Sequence, residues 1–120
     1  IPETAWAPSG EWICYNGPEG LYLVSPDGQT RKALTKTVSD NIAFSKDSST
    51  VYALRRAANG KWQLVFIDVR SAQERRIVPV DVADGATLSG LTIHPGGKRF
   101  ATSVGWSRHD IWLMEGFRPR

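Results

Sequence analysis

The sequence predicts an all-β chain made of three consecutive copies of one four-stranded antiparallel unit, the third copy incomplete. Two observations carry this. Short apolar runs rich in aromatic and β-branched residues alternate with turn clusters, and 5 Trp, 3 Tyr, 4 Phe, 11 Gly and 7 Pro are spread through the 120 residues without a low-complexity run. The apolar runs also recur at a nearly fixed interval, the signature of a repeat architecture.

The middle unit is the clearest. Residues 41–45 (NIAFS) read as a short apolar strand, 46–49 as a polar turn, and 51–55 (VYALR) as a second strand. Residues 63–69 (QLVFIDV) are almost continuously apolar, as a strand covered on both faces should be, and 74–78 (ERRIV) are short and charged, as an exposed edge should be. The first strand and its turn recur at 4–10 and 91–97, which sets Trp6, Phe44 and Ile93 in register at intervals of 38 and 49. Second strands are expected at 11–15, 50–54 and 99–104. Third strands are expected at 21–24, 64–67 and 111–114, with Tyr22, Val65 and Trp112 at intervals of 43 and 47. Both sets average near the ~40–45-residue period of four-stranded propeller blades. The fold class is therefore a β-propeller of three consecutive antiparallel blades, over about residues 3–38, 40–80 and 88–118.

The turns have a mechanism. Pro8-Ser9-Gly10, Pro26-Asp27-Gly28 and Pro95-Gly96-Gly97 supply the fixed φ of proline and then a glycine able to take positive φ. The middle unit departs from this with Lys46 for Pro and Ser48 for Gly. Only Arg118, Pro119 and Arg120 follow Phe117, too few for a fourth strand, so the third strand of the last unit is expected to be an open edge. A chain starting at Ile1 without Met reads as processed or excised.

Composition sets further bounds. A chain 41% hydrophobic and 22% charged is ordinary for one soluble globular domain. No apolar run is long enough for a spanning helix. Cys14 stands alone, which excludes an intramolecular disulfide and a thiolate metal cage. The net charge of +3 comes from 15 basic residues scattered from Arg31 to Arg120, a solvated surface and not a nucleic-acid footprint.

At the level of motifs, the units resemble the TolB-like, WD-type β-propeller repeats of bacterial proteins. The turn motif of that family stands here as Ala7-Pro8-Ser9-Gly10, Ser45-Lys46-Asp47-Ser48 and His94-Pro95-Gly96-Gly97. The third-strand motif stands as Asp110-Ile111-Trp112-Leu113, with Gly20-Leu21-Tyr22-Leu23 close to it. The resemblance implies a six-bladed ring of which this chain is about half. It also implies a scaffold for protein contacts or ligand sensing, periplasmic or otherwise extracytoplasmic, without catalysis or cofactor.

Blades bury their faces against neighbours, so three alone leave two faces uncovered. On the first unit the uncovered set is expected among Trp12, Cys14, Tyr22 and Val24, and on the third among Phe100, Ile111 and Leu113 or their alternates. The expected cover is a protein partner, a second copy completing the ring as a homodimer, or the other blades of a longer chain.

Catalytic signatures fail one by one. His94 and His109 lack metal-ligand spacing, and no Gly-x-Ser-x-Gly elbow is present. Pro95-Gly96-Gly97-Lys98 is not a phosphate loop, because six residues separate Gly90 from Gly97 and Arg99 stands where Ser or Thr is required. Trp6, on an innermost strand, is read as channel packing. The loop candidates for ligand contact are Lys61, Trp62, Trp106, Arg108 and His109, where an aromatic beside a cation suits a saccharide, a small molecule or a peptide. The competing role for Trp62 and Trp106 is to lid their own blades. Alternatives to the scaffold are a carbohydrate-binding module, or the propeller portion of a peptidase or polysaccharide lyase whose catalytic residues lie elsewhere.

Overall fold

The structure, a computed structural model, describes residues 4–36, 39, 41–83, 85–94 and 96–105 in full, and 109–115 as strand backbone. Eleven strands are described among these: β1 Thr4–Trp6, β2 Ile13–Gly17, β3 Gly20–Val24, β4 Arg31–Thr35, β5 Asn41–Phe44, β6 Thr50–Arg56, β7 Trp62–Asp68, β8 Glu74–Val80, β9 Thr87–Ile93, β10 Arg99–Gly105 and β11 His109–Glu115. They form three antiparallel sheets, ordered β1-β2-β3-β4, β5-β6-β7-β8 and β11-β10-β9. No helix of the described residues is long and apolar enough to cross a membrane.

The first-to-second-strand turn of the middle unit closes like its neighbours despite its sequence. Ser48 N–H donates to the Ser45 carbonyl at 3.0 Å, as Gly10 does to Ala7 at 2.8 Å and Gly97 to His94 at 2.7 Å. Ser48 takes φ 65°, beside 79° for Gly10 and 72° for Gly97. The hairpin therefore imposes left-handed backbone even where no glycine is present. At Gly20 the requirement is absolute: a Cβ there would stand 2.0 Å from the Thr35 carbonyl oxygen.

Register assigns the faces. Cys14, Leu21, Leu23 and Leu34 of the first sheet pack against Ile42, Val51, Ala53, Val65 and Ile67 of the second. The other face of the second sheet, with Tyr52, Leu54, Leu64 and Phe66, packs against Leu88, Phe100 and Val104 of the third. Leu64, Val65, Phe66 and Ile67 are thus all buried on consecutive positions of β7, two in each layer. Each large side chain so enclosed contributes about 1.5–3 kcal/mol. Tyr52 and Phe66 meet edge to face with centroids 4.9 Å apart.

The second and third sheets are also joined by a buried amide. Asn41, 8% exposed, donates from Nδ2 to the Leu88 carbonyl at 3.2 Å and accepts the Gly90 N–H on Oδ1 at 2.6 Å. Ser39 Oγ donates to the Leu54 carbonyl and accepts the Asn41 N–H. Thr102 Oγ1 donates to the Gly90 carbonyl at 2.6 Å, beside the bulge between Ala101 and Ser103.

The expected uncovered residues need correction. Trp12 and Cys14 belong to the layer between the first and second sheets, and Phe100 to the layer between the second and third. Tyr22 and Val24 do lie on the open face of the first sheet. Their register partners there are Tyr15 and Ile13, and Ile13 pairs in turn with Trp6, which is 62% exposed. Ile111 and Leu113 lie on β11, whose side chains are outside the described residues.

Candidate functional site

A cavity of about 410 Å³ opens at the end of the second sheet where β6 turns into β7, and the chain leaving β8 forms its other wall. The turn is built by Ala57 N–H donating to the Lys61 carbonyl at 2.7 Å and by Asn59 Oδ1 accepting the Lys61 N–H at 2.9 Å. This tight closure pairs Arg56 with Trp62 across the hairpin, and Trp62 with Val80 on its other side. Lys61, Trp62, Pro79, Asp81 and Val82 line the cavity.

Trp62 is committed on two sides. Its indole Nε1 donates to the Ala86 carbonyl at 3.0 Å, and the Arg56 guanidinium lies 4.9 Å from the ring centroid. Arg56 Nη2 donates to the same carbonyl at 3.0 Å. Two donors from β6 and β7 thus hang the segment that leads from β8 to β9, and half-buried Trp62 packs against the core between the second and third sheets. Lys61 and Asp81 are exposed at the cavity wall.

Of the five loop candidates, the structure places Lys61 and Trp62 side by side on this cavity. Trp106 and Arg108 lie outside the described residues. His109 opens β11, with its backbone paired to Gly105 and its side chain outside the described residues. Sequence reasoning missed Arg56 and the Ala86 carbonyl. The Arg56 pairing was readable in principle, since a tight turn at 57–61 makes positions 56 and 62 opposite neighbours.

A second groove, about 650 Å³, lies at the opposite end of the blades between the first and second sheets. Its polar groups are largely spent on structure. Lys32 Nζ donates to the Val69 carbonyl at 3.2 Å and sits 5.2 Å from the Trp12 ring centroid. Hydrogen bonds from the Ser49 and Ser45 hydroxyls and the Ser49 amide hold the Asp47 carboxyl down at about 2. Asp68 is held below the usual carboxylate range by the Ser71 amide and hydroxyl, with Arg75 and Arg70 assisting. Among the described residues no three His, Cys, Asp or Glu side chains gather as a metal site. Cys14 is fully buried, and burial pushes its thiol up to about 12.

No family model matches the sequence, and no curated protein matches it. Solved structures do match in shape. Over 94% of this chain and 29% of the other, the fold follows TolB from Acinetobacter baumannii with a TM-score of 0.68 at 20% identity. Over 95% of this chain and 42% of the other, it follows an Agrobacterium tumefaciens protein assigned as TolB, with a TM-score of 0.68 at 16% identity. The chain spans less than half the length of either. The likeness shows the fold: an all-β chain of antiparallel sheets, two of four strands and one of three among the described residues, as in the TolB propellers.

Proposed function

We propose that this chain is a non-catalytic propeller scaffold for protein contacts, contributing three blades (about 3–38, 40–80 and 88–118) to a six-bladed ring. The open face of the first sheet carries the reading. Trp6 is 62% exposed and Ile13, Tyr15, Tyr22 and Val24 are only half-buried, all on one side of a sheet whose other side is fully packed. A contiguous apolar patch of this kind marks a surface that another protein covers. A protein partner, a second copy of the chain or further blades of a longer chain supplies that cover. The WD-type character of the repeat rests on the three turn motifs and on Asp110-Ile111-Trp112-Leu113, with Gly20-Leu21-Tyr22-Leu23 close to it.

The connection face at Lys61 is the proposed recognition end, and the sequence adds Trp106, Arg108 and His109 as its further contact candidates. Exposed Lys61 suits an acidic group on a partner. Cross-linking mass spectrometry tests this: a bound partner should cross-link through Lys61 and not through Lys46 or Lys98 at the opposite end. Cross-links confined to that opposite end would overturn the assignment, and turnover of peptide or polysaccharide by the purified chain would overturn the non-catalytic reading.

The cavity favours a second reading, a small-molecule or saccharide site, since about 410 Å³ falls within the ~300–1,000 Å³ of ligand pockets. Trp62 contributes less to such a site than its type suggests, because its N–H is spent on Ala86. Saccharide quenching of Trp fluorescence that Trp62→Ala abolishes would favour this reading.

A further inference from the structure

We infer that Asn59 is a site of spontaneous covalent modification: the Gly60 nitrogen displaces its side-chain amide, and the isoaspartate that follows dismantles the turn that sets Lys61 and Trp62 on the cavity.

The chain holds two Asn-Gly pairs, Asn16-Gly17 and Asn59-Gly60. Glycine in second place permits the reaction, because without a Cβ its nitrogen is open to the side chain before it. That nitrogen gives its proton to hydroxide and bonds to the asparagine Cγ; the Cγ–Nδ2 bond breaks and ammonia leaves. The five-membered imide then takes up water. Opening at Cγ gives aspartate, and opening at the main-chain carbonyl gives isoaspartate, whose main chain runs through Cβ and Cγ and is longer by one methylene. The sum is amide plus water to acid plus ammonia, with no electron transferred.

The fold separates the two pairs. Ring closure swings the glycine nitrogen onto the side-chain side, whereas a paired strand holds the backbone extended, with ψ near ~+135°. Asn16 is half-buried in such a strand, paired with Leu21, and Gly17 is paired with Gly20. The Tyr22 ring lies so close over Gly17 that a Cβ there would stand 2.5 Å from it. The swing at Asn16 therefore requires the β2–β3 hairpin to unzip.

Asn59 meets no such resistance. Ala58, Asn59 and Gly60 are all exposed, and a Cβ at Gly60 would meet nothing within 4 Å. Three hydrogen bonds hold the turn: Gly60 N–H to the Ala57 carbonyl at 2.9 Å, Ala57 N–H to the Lys61 carbonyl at 2.7 Å, and Lys61 N–H to Asn59 Oδ1 at 2.9 Å. They can open without moving a core side chain, which places this turn at the low end of local opening free energies. The same three bonds fix the register that sets Arg56 opposite Trp62. A main chain lengthened by a methylene at residue 59 cannot keep them, and the new carboxylate adds a negative charge two residues from Lys61.

The test is peptide mapping by mass spectrometry of the native chain aged at mildly alkaline pH and body temperature. Trypsin, cutting after Arg56 and Lys61, releases residues 57–61 apart from the peptide that holds Asn16. The 57–61 peptide should gain a dalton over the unaged sample and accept a methyl group from a protein isoaspartyl methyltransferase. With each rate taken relative to the same site in denaturant, Asn16 should react about tenfold or more slowly than Asn59. Amide exchange of the aged chain should be faster over 57–62 and unchanged in β5. Asn59→Gln, whose longer side chain disfavours ring closure, should abolish both the mass gain and the faster exchange. An Asn59 that stays intact in the native chain while it reacts in denaturant would overturn the inference, as would equal relative rates at the two sites. Conversion at Asn59 with unchanged exchange over 57–62 would overturn the dismantling of the turn.

Discussion

The backbone N–H of Ser9 donates to the Oγ of Ser48 at 2.9 Å, tying the turn of the first blade to the turn of the second across 39 residues. Ser48 occupies left-handed backbone, φ 65°, where both neighbouring units use glycine. The sequence departure at this turn is thereby accounted for: the side chain that raises the conformational cost is the one that makes the contact between blades. Ser48→Ala keeps the backbone cost and loses the bond, so it should lower stability by about 0.5–1.5 kcal/mol. Ser48→Gly relieves the backbone while losing the same bond and should fall within about 0.5 kcal/mol of wild type. Urea midpoints decide it, and Ser48→Ala matching wild type would show that the bond contributes nothing.

Asn41 is the stronger link between blades because it is buried. Asn41→Leu strands the Leu88 carbonyl and the Gly90 N–H, each at a cost of ~1–3 kcal/mol, for a total loss of about 2–6 kcal/mol. Asn41→Asp retains the acceptor for Gly90 but has no donor for Leu88. Its loss should be comparable, with amide exchange faster along β9 than along β6. Equal exchange in both strands would mean the amide does not hold the third sheet in place.

The repeat was legible because the inner strands keep one register, with Trp6, Phe44 and Ile93 in equivalent places. Which face each residue takes was less so. The second strand of the first sheet starts at Ile13, two residues later than its sequence equivalents suggest, and this puts Trp12 at the seam with the second sheet beside Lys32. Bulges at Leu21/Tyr22, Phe66/Ile67 and Ala101/Ser103 each insert a residue that breaks period-two counting. The Trp62 anchor was illegible for another reason: its acceptor, the Ala86 carbonyl, carries no side-chain signal and lies 24 residues away.

Trp62→Phe separates the ring from its N–H. The ring can still pack beneath Arg56, but the bond to Ala86 is gone, so global stability should drop by about 1 kcal/mol while exchange and proteolysis in residues 81–86 rise more steeply. Unchanged proteolysis there would assign the anchoring of the segment to Arg56 alone.

Acid should act through the turns. Asp47, bonded first by the Ser49 and then by the Ser45 hydroxyl, is held at about 2, and Asp68 and Asp27 are lowered by their own turn hydrogen bonds. A carboxyl lower in the folded than in the unfolded chain stabilises the fold above the unfolded value, ~3.9, and that stability is lost as pH falls through the folded value. Urea midpoints of wild type and Asp47→Asn should therefore differ by a constant amount above about pH 5 and converge between about pH 4 and pH 2. The convergence is modest, because the group is exposed to solvent. A gap that persists unchanged to pH 2 would mean the ionised carboxylate is not what the turn stabilises.

Cys14 offers a probe of opening. Its thiol has no exposed surface between the first and second sheets, and burial pushes it up to about 12, so little thiolate exists at neutral pH and a reagent cannot reach it. Iodoacetamide should label the folded chain only through transient opening of that layer, orders of magnitude more slowly than in denaturant. Asn41→Leu, which loosens the third sheet, should raise the Cys14 rate only as far as it lowers global stability; Ala53→Gly, in the same layer as the thiol, should raise it further than its global cost accounts for. Labelling of native wild type as fast as in denaturant would mean that the first sheet is not docked on the second, and the layer assigned to Cys14, Leu21 and Leu23 would have to be abandoned.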